Sequence, residues 1–357
     1  MKPAPDWRGW TRSFLVTALL LVALLFSFIA MLDPFGSRVG PGQAARPLMD
    51  LNQRFMYPQL VRSGRYDAAV FGTSTMRLLD PAILSQGLGA HVVNLAMNAA
   101  TPWEQLQMVE LFTRKTVAPK MVLWGIDQTW CDADATTPEK RLTPRPFPPW
   151  LYDDKRWNDW PELINLTTLE IAARLFMHKL GYMPERIRGD GYEVFTPPEE
   201  QYDLARARFH LFQHTGGVAP ELSPIVPPIA VGAEERAAWR FPALDWLDSA
   251  FAALPASTQK LIVLPPLHLG GLPREGSAGW QHYAACKAAL GTIAGRHGAV
   301  IVDYAHASPI TRDDANYWDP LHFRLPIARR VEADLIAVAH GGEPTADGAA
   351  RVLQPIR

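Results

Sequence analysis

The sequence predicts an α/β fold, in which a mostly parallel sheet of about five strands is covered by helices on both faces, as a three-layer sandwich. One N-terminal transmembrane helix is expected to precede it. Two observations lead to this prediction. Short apolar runs alternate with amphipathic stretches, and residues 13–32 contain no charged side chain. Near-continuous apolar strands separated by helices are typical of parallel sheets buried on both faces.

The apolar segment 13–32 is expected to anchor the chain in a membrane. Twenty helical residues rise about 30 Å, which matches the hydrocarbon thickness of a bilayer. Lys2, Arg8 and Arg12 precede the segment and Asp33 follows it. The positive-inside rule then makes residues 1–12 a cytoplasmic tail of a single-pass inner-membrane protein. Everything beyond the anchor is expected to lie in the periplasm.

A cleaved signal peptide is the alternative to an anchor. Its apolar core would usually be shorter, about 7 to 15 residues. The small residues "GQAA" at 42–45 nevertheless leave cleavage open. We favour the uncleaved anchor.

The rest of the chain is divided into a connector, one large domain and a tail. A chain of 357 residues can bury a large core. We expect a connector at 33–64, a domain at 65–340 and a C-terminal tail at 341–357. Within the domain, strands are predicted at 66–72, 90–96, 120–127, 259–266 and 299–304, and helices at 102–115, 281–298 and 325–340.

The alternation of strands and helices breaks at about 131–235, a region rich in Trp, Pro and charged residues. We interpret this region as an insertion with helical pieces at 164–180 and 199–214. It either shapes a substrate cleft or forms a structural cap, and the sequence leaves both open.

The two cysteines, Cys131 and Cys286, would face an oxidising compartment in an exported domain. They can pair only if their Cα atoms come within bonding range, which the sequence does not show. We favour an unpaired, buried role for each. There is no Cys-x-x-Cys spacing and no histidine cluster, so no metal or cofactor is expected.

Ser74 is the candidate nucleophile. It follows the strand and glycine of "VFGTSTM", and the carboxyl ends of parallel strands form the ligand-binding edge of such a sheet. A serine becomes nucleophilic when a base removes its proton and a third group orients that base. The alternative is that Ser74 only caps a helix.

Asp319 and His322, in "YWDPLHF", are the candidate orienting group and base. A separation of three positions on a tight loop allows the carboxylate of Asp319 to reach one ring nitrogen of His322. The other ring nitrogen is then free to face Ser74. "DYAH" has the same spacing at Asp303 and His306. We prefer the first pair because it occupies the loop immediately before the last helix, whereas Asp303 lies on a strand.

These blocks, with "NLAMNAAT" after the second strand and "GID" after the third, resemble the SGNH/GDSL hydrolase superfamily over residues 65–340. In particular they are similar to the exported, membrane-tethered members of the alginate O-acetylation type. The resemblance implies that Ser74 is the nucleophile, His322 the base and Asp319 its orienter.

Three positions depart from the family pattern. Thr73 stands where the family often has aspartate, and Ala99 stands where a glycine donates its N–H to the oxyanion hole. Asp127 corresponds best to an asparagine that donates a further hydrogen bond, which a carboxylate cannot do unless it is protonated. Gln128 or Asn98 can supply the missing amide.

The expected function is therefore that of a serine esterase or O-acyltransferase. Its substrate would be an acylated polysaccharide of the cell envelope or a secreted one, with acetyl as the expected acyl group, or a small acyl ester. Other exopolysaccharide synthesis proteins are candidate partners. The alternative is a catalytically inactive binding or assembly subunit of such a complex. A net charge of -1 gives no reason to expect nucleic acid.

Four further residues are less decisive for substrate binding. His268 follows a strand end and can either line the cleft or have a structural role. Trp124, Trp130 and Trp318 flank the site in sequence, where they can stack on sugar rings or pack in the core.

Overall fold

The computed structural model describes residues 6–155, 157 and 159–353. Its first five strands are short, mostly apolar and buried, which agrees with the expectation of a largely parallel sheet. They are β1 (Ala68–Phe71), β2 (Val92–Asn94), β3 (Met121–Gly125), β4 (Gln259–Leu264), β5 (Val300–Asp303) and β6 (Arg351–Val352).

The six strands form one sheet in the order β2-β1-β3-β4-β5-β6. The first five run parallel, and β6 is antiparallel to β5. The expected count of about five strands is therefore one too low, because β6 lies within the segment expected to be a tail. In a doubly wound sheet of order 2-1-3-4-5, ligands bind beyond the carboxyl ends of β1 and β3, where the winding direction reverses.

The helices follow the predicted pattern closely within the domain. Pro102–Lys115 has the predicted bounds, and it begins with a capping box formed by Thr101 and Glu104. The helices of four or more residues are α1 (Trp7–Leu32), α2 (Gln53–Met56), α3 (Pro58–Arg62), α4 (Pro81–Leu88), α5 (Pro102–Lys115), α6 (Asp159–Glu162), α7 (Leu166–Lys179), α8 (Leu204–Leu211), α9 (Ala233–Ala238), α10 (Ala243–Ala253), α11 (Ala278–His297), α12 (Pro309–Arg312) and α13 (Leu325–Ala339).

Two hydrophobic clusters take alternate residues of the strands. In β1, Ala69 and Phe71 belong to one cluster, whereas Ala68 and Val70 belong to the other. This alternation is the period of two expected when successive side chains of a strand point to opposite faces. The first cluster contains residues of α5, α10 and α11, and the second contains residues of α4 and α13.

The N-terminal helix α1 is long and apolar enough to cross a membrane. It begins six residues before the predicted anchor, where the Asp6 side chain accepts a hydrogen bond from the N–H of Gly9. Its side chains are almost all exposed as far as Leu25, whereas Ile29 and Leu32 are buried against the domain.

The segment expected to be a connector, 33–64, is an integral part of the domain. Leu48, Met56, Tyr57 and Leu60 are fully buried in the first hydrophobic cluster. The helical signal that the sequence carries there corresponds to α2 and α3. The segment joins the anchor to the core without a flexible linker of its own.

Cys131 and Cys286 form a disulfide, with their Cα atoms 5.7 Å apart. The expectation that each cysteine is unpaired is therefore wrong. The bond joins the turn after β3 to α11, and it encloses the whole insertion because the two residues are 155 positions apart.

Within 131–235, the described residues form four of the helices listed above and no strand of the sheet. The helical piece expected at 199–214 is shorter than predicted, since its α-helix covers only Leu204–Leu211. The piece expected at 164–180 corresponds to α7.

Candidate active site

Ser74 lies just beyond the end of β1, at the start of a short 3-10 helix, Ser74–Met76. The turn before it depends on Gly72, whose φ of +143° is rare for residues with a Cβ. A Cβ at this position would lie 3.3 Å from the carbonyl oxygen of Gly125, at the end of β3. Glycine thus lets the chain turn close to the neighbouring strand and leaves the Ser74 side chain partly exposed.

Asp319 and His322 lie at the tip of a closed loop that precedes α13. Tyr317 and Phe323, both buried, form an isolated antiparallel bridge at its base. The N–H of Trp318 also donates to the carbonyl of His322 at 2.9 Å. We refer to residues 317–323 as the histidine loop.

The structure brings Ser74, His322 and Asp319 together. His322 Nε2 lies 2.8 Å from Ser74 Oγ, and His322 Nδ1 lies 2.7 Å from Asp319 Oδ2. The other oxygen of Asp319 accepts hydrogen bonds from the backbone N–H groups of Leu321 and His322. A carboxylate only accepts, so the proton is on Nδ1, and Nε2 is free to accept the hydroxyl proton of Ser74.

The environment of Asp319 favours its charged form. Burial by itself raises the pKa of this carboxyl, but the hydrogen bonds and charge of His322 and the two backbone N–H groups outweigh it. The net result is a pKa below the ordinary value for aspartate. An ionised Asp319 holds the imidazole in the orientation that a general base requires.

The second Asp-x-x-His pair serves a different part of the molecule. Asp303 forms an ion pair with Lys287, with both carboxylate oxygens within 2.9 Å of Nζ. His306 Nε2 lies 3.1 Å from the carbonyl of Gly348. Both residues line a separate cavity of about 590 Å³, so the preference for the histidine loop agrees with the structure.

The turns after β1 and β2 each contain a backbone N–H group that has no hydrogen-bond acceptor among the described residues. The N–H of Met97 donates to the carbonyl of Gly72 at 3.0 Å, which joins the turn after β2 to the turn that carries Ser74. Among the described residues, the N–H groups of Ser74 and Ala99 have no hydrogen-bond acceptor. Ala99 is exposed and has a φ of +49°, a conformation that favours glycine.

The turn that carries Ala99 is held from the segment before β1. Arg54, which is fully buried, donates to the carbonyl of Asn98 from both terminal nitrogens at 3.1 Å. Its Nε also donates to the buried carboxylate of Glu104 at 2.9 Å. Gln53 Oε1 accepts from the N–H of Asn98 at 3.3 Å. These contacts fix the backbone directly before Ala99.

The side chain of Asn98 is oriented by Arg77. The guanidinium of Arg77 contacts Asn98 Oδ1 and, on its other side, the carboxylate of Glu193. Since a guanidinium only donates hydrogen bonds, the amide oxygen of Asn98 must face it. The NH2 group of Asn98 then points away from Arg77, and no described residue accepts from it.

Asp127 is directed toward its own turn. Its Oδ1 accepts from the N–H of Thr129 at 3.0 Å and from the Thr129 hydroxyl, which caps the 3-10 helix Gln128–Cys131. Burial raises the pKa of this carboxyl, and hydrogen bonds from the side chains of Thr129 and Thr73 oppose that rise. Thr73 thus acts on Asp127.

Gln128 and His268 have structural contacts. Gln128 Nε2 donates to the carbonyl of Gly271 at 3.1 Å, which links the turns after β3 and β4. His268 is buried, with Nε2 3.0 Å from Asp314 Oδ1 and Nδ1 accepting from the N–H of Gly270. The N–H of His268 donates to the carbonyl of Pro320. Of the two roles left open for His268, the structure favours the structural one, as a support of the histidine loop.

The insertion reaches the Ser74 site. The ring of Phe195 lies edge-on to the imidazole of His322, with centroids 5.2 Å apart, and the Arg77 guanidinium covers Phe195 at 4.5 Å. A cavity of about 210 Å³ borders Asp319 and is lined by Trp318 and by residues of α8, including Arg206 and His210. The insertion therefore forms part of the wall around the site.

The three tryptophans near the site differ in their accessibility. Trp124 and Trp130 are fully buried and pack against each other, so neither can stack on a ligand. Trp318 is partly exposed.

No protein-family model, curated protein or solved structure matches the chain. Among the described residues, there is also no group of three or more His, Cys, Asp or Glu side chains that could hold a metal ion.

Several residues of the site were not predicted from the sequence. Arg77 follows Ser74 by three positions, and this proximity to the nucleophile was a signal that could have identified it. Phe195, Glu193 and Arg54 carry no such signal, because each reaches the site through contacts with residues far away in the sequence.

Proposed function

We propose that the protein is a serine esterase or O-acyltransferase that acts through an acyl-enzyme on Ser74. The observation that carries this proposal is the continuous hydrogen-bonded arrangement of Ser74, His322 and Asp319, with separations of 2.8 and 2.7 Å. Nucleophile, base and orienting group are each within hydrogen-bond reach of the next, which is the geometry that this chemistry requires.

In the first half of the reaction, Ser74 Oγ attacks the carbonyl carbon of an ester while His322 Nε2 takes the hydroxyl proton. The resulting oxyanion is stabilised by the N–H groups of Ser74 and Ala99 and by the NH2 of Asn98. Collapse of this intermediate breaks the ester bond, and His322 gives its proton to the departing alcohol oxygen. The acyl group is then bonded to Ser74 Oγ.

In the second half, a hydroxyl group attacks the acyl-enzyme and His322 takes its proton. Water releases the free acid, whereas a sugar hydroxyl yields a new ester. His322 finally returns the proton to Ser74 Oγ, and the enzyme is regenerated. The same residues serve both outcomes.

The family and the cellular setting are part of this proposal. The order of the blocks supports membership of the SGNH/GDSL superfamily with its three-layer architecture. The glycine-like φ of Ala99 agrees with the glycine that the family has at this position. The apolar helix α1 and the disulfide support an exported domain anchored in the inner membrane.

A polysaccharide is the proposed substrate. The cavity beside Asp319 combines a partly exposed tryptophan with Arg206, His210 and Asp203. An aromatic face together with donors and acceptors suits a sugar, which has an apolar ring face and many hydroxyl groups. We propose an acetylated glycan of the cell envelope, with proteins of exopolysaccharide synthesis as partners.

Covalent labelling tests the proposal. The full-length protein in detergent should react with a fluorophosphonate probe and hydrolyse a chromogenic acetyl ester, and Ser74→Ala should abolish both. Ser249→Ala is the matched control, because Ser249 is an exposed serine within α10 and should label like the parent. Labelling that persists in Ser74→Ala would exclude the proposed nucleophile.

The labelling and hydrolysis results also distinguish an active enzyme from a catalytically inactive binding subunit. A folded parent protein that neither labels nor hydrolyses the ester would favour the inactive assembly subunit. If labelling succeeds, incubation with acetylated and unacetylated polysaccharide, with and without an acetyl donor, distinguishes hydrolysis from transfer.

A further inference from the structure

One side of α7 and the segments around it expose several large apolar side chains. Leu166 is 84 % exposed, and Tyr182, just beyond the helix, is 73 % exposed. Leu166 and Met177 are both exposed and are separated by about three turns of α7, so they lie on the same side of the helix. We call this surface the α7 face; it comprises Trp157, Trp160, Ile164, Leu166, Phe176, Met177, Leu180 and Tyr182.

The α7 face is continuous with the surface of α1. The ring of Phe28 lies 5.7 Å from that of Phe176, and the ring of Phe26 lies 5.7 Å from that of Trp160. Helix α1 thus packs along α7 over its last two turns, whereas its earlier residues are exposed.

The length of α1 sets the depth of this contact. A hydrocarbon layer of about 30 Å needs all of residues 13–32 at 1.5 Å per residue. Phe26 lies six residues before the end of α1, or about 9 Å along the helix axis. A ring that touches Phe26, such as Trp160, is therefore at the level of the outer acyl chains or of the interface above them.

From these contacts we propose that the α7 face lies in the outer interfacial layer of the lipid bilayer that α1 spans. This inference rests on the proposed membrane anchoring. Tryptophan and tyrosine prefer this layer because their rings are apolar and their N–H or O–H groups can reach water. Lys179 ends α7 with an exposed ammonium that suits lipid phosphate groups.

Lipid contact through the α7 face would fix the orientation of the domain. With α1 alone in the bilayer, the domain and α1 could tilt together relative to the membrane plane. A second contact through the α7 face limits that tilt, so the Ser74 site stays at one height above the membrane.

Site-specific fluorescence in bilayers tests this inference. Both cysteines of the chain are in the disulfide, so one introduced cysteine can be labelled alone with an environment-sensitive dye. The full chain would be labelled separately at Leu166→Cys, Leu180→Cys, Leu20→Cys and Val226→Cys. It would then be reconstituted in phosphatidylethanolamine–phosphatidylglycerol nanodiscs with and without doxyl-labelled lipid.

Val226 is the matched control, because it is an apolar residue 85 % exposed in a loop that pairs with Glu275 and Gly276. We expect doxyl lipid to quench the dye at residue 20 and at both α7 positions, and to leave residue 226 unquenched. Quenching at residue 20 without quenching at 166 and 180 would overturn the α7 contact and leave anchoring intact.

Two other results would also count against the inference. Absence of quenching at residue 20 would overturn the anchoring on which it rests. A blue-shifted but unquenched dye at residues 166 and 180 would mean that protein, such as a second copy, covers the α7 face instead of lipid. Neither result depends on the esterase activity, so each is separate from failure of the proposed function.

Discussion

The guanidinium of Arg77 contacts the side-chain oxygen of Asn98 and so directs the NH2 group of Asn98 away from itself. In the proposed mechanism this NH2 group is the amide donor to the oxyanion, and Asp127 stands where the SGNH/GDSL hydrolases that the sequence resembles have asparagine. The carboxylate of Asp127 is meanwhile occupied by Thr129. In this proposal, Asn98 supplies the hydrogen bond that Asp127 does not donate.

We expect Asn98→Ala to lower kcat for an acetyl ester by roughly 100- to 1000-fold, the usual effect of removing one oxyanion donor. Asn98→Asp, which keeps the shape but loses the donor, should be equally impaired. Steady-state kinetic assays with the same ester would measure kcat for both variants. Parental kcat in a folded Asn98→Ala protein would show that Asn98 is not an oxyanion donor.

Asp319→Asn should lower the ester turnover by roughly 10³- to 10⁴-fold, because an amide permits the wrong imidazole tautomer and does not stabilise the imidazolium. His306→Gln is the control, since His306 belongs to the Asp-x-x-His pair that borders the separate cavity. It should retain parental turnover. The reverse pattern, with His306→Gln inactive and Asp319→Asn active, would reassign the base.

Arg54→Met should destabilise the protein by about 3–5 kcal/mol, because Glu104 is left as an unpaired buried charge. Arg54→Met combined with Glu104→Gln removes that charge and should recover part of the loss. Urea titration of the detergent-solubilised protein would compare the midpoints. If Arg54→Met alone were as stable as the parent, the ion pair of Arg54 and Glu104 would not be buried in solution.

The buried His268 predicts a pH dependence of stability. Burial lowers the pKa of its imidazole below the ordinary value of 6.5, although Asp314 and Asp313 oppose that shift. As the pH falls below about 6.5, the unfolded chain gains a proton that the folded protein resists, so stability should decrease. Above that pH the imidazole is neutral in both states and makes no such contribution.

Thermal melting of the parent and His268→Gln between pH 5 and pH 8 would measure this effect. On acidification, the Tm of the parent should fall more than the Tm of His268→Gln. Above pH 7, the change of Tm with pH should be nearly the same for both proteins. Identical pH slopes over the whole range would show that His268 does not contribute.

Loss of the disulfide should destabilise the protein by about 2–4 kcal/mol, since it closes a long loop. Cys131→Ser with Cys286→Ser is the appropriate variant, compared by melting with the parent under oxidising and reducing conditions. Reductant should lower the Tm of the parent and leave that of the variant unchanged. A parent insensitive to reductant after confirmed reduction would contradict the expected stabilisation.

The parts predicted well from the sequence are those specified locally. Apolar runs and capping residues identify β1 to β5 and α5, because buried parallel strands and capped helices have strong local patterns. The order of the strands then brings the turns after β1 and β3 to one edge. The structure also places His322 Nε2 within hydrogen-bond distance of Ser74 Oγ, and the catalytic roles of both residues stay predictions.

The parts predicted poorly depend on distant contacts. The pairing of Cys131 with Cys286 requires a Cα separation that only the folded chain defines. Strand β6 has two residues and is recognisable only by its pairing with β5. The segment 33–64 resembles a linker in composition, yet Arg54 and Tyr57 are buried because of partners elsewhere in the chain.

The burial of 33–64 bears on how the protein could be released from its membrane. Phe35 packs against Phe55 and Trp150, and Val39 is also buried. Proteolysis at the small residues 42–45 would therefore detach two core side chains together with the hydrophobic leader. A secreted form made in this way would lack these two side chains from its core. The gap would lie beside Arg54, which holds the turn that carries Ala99.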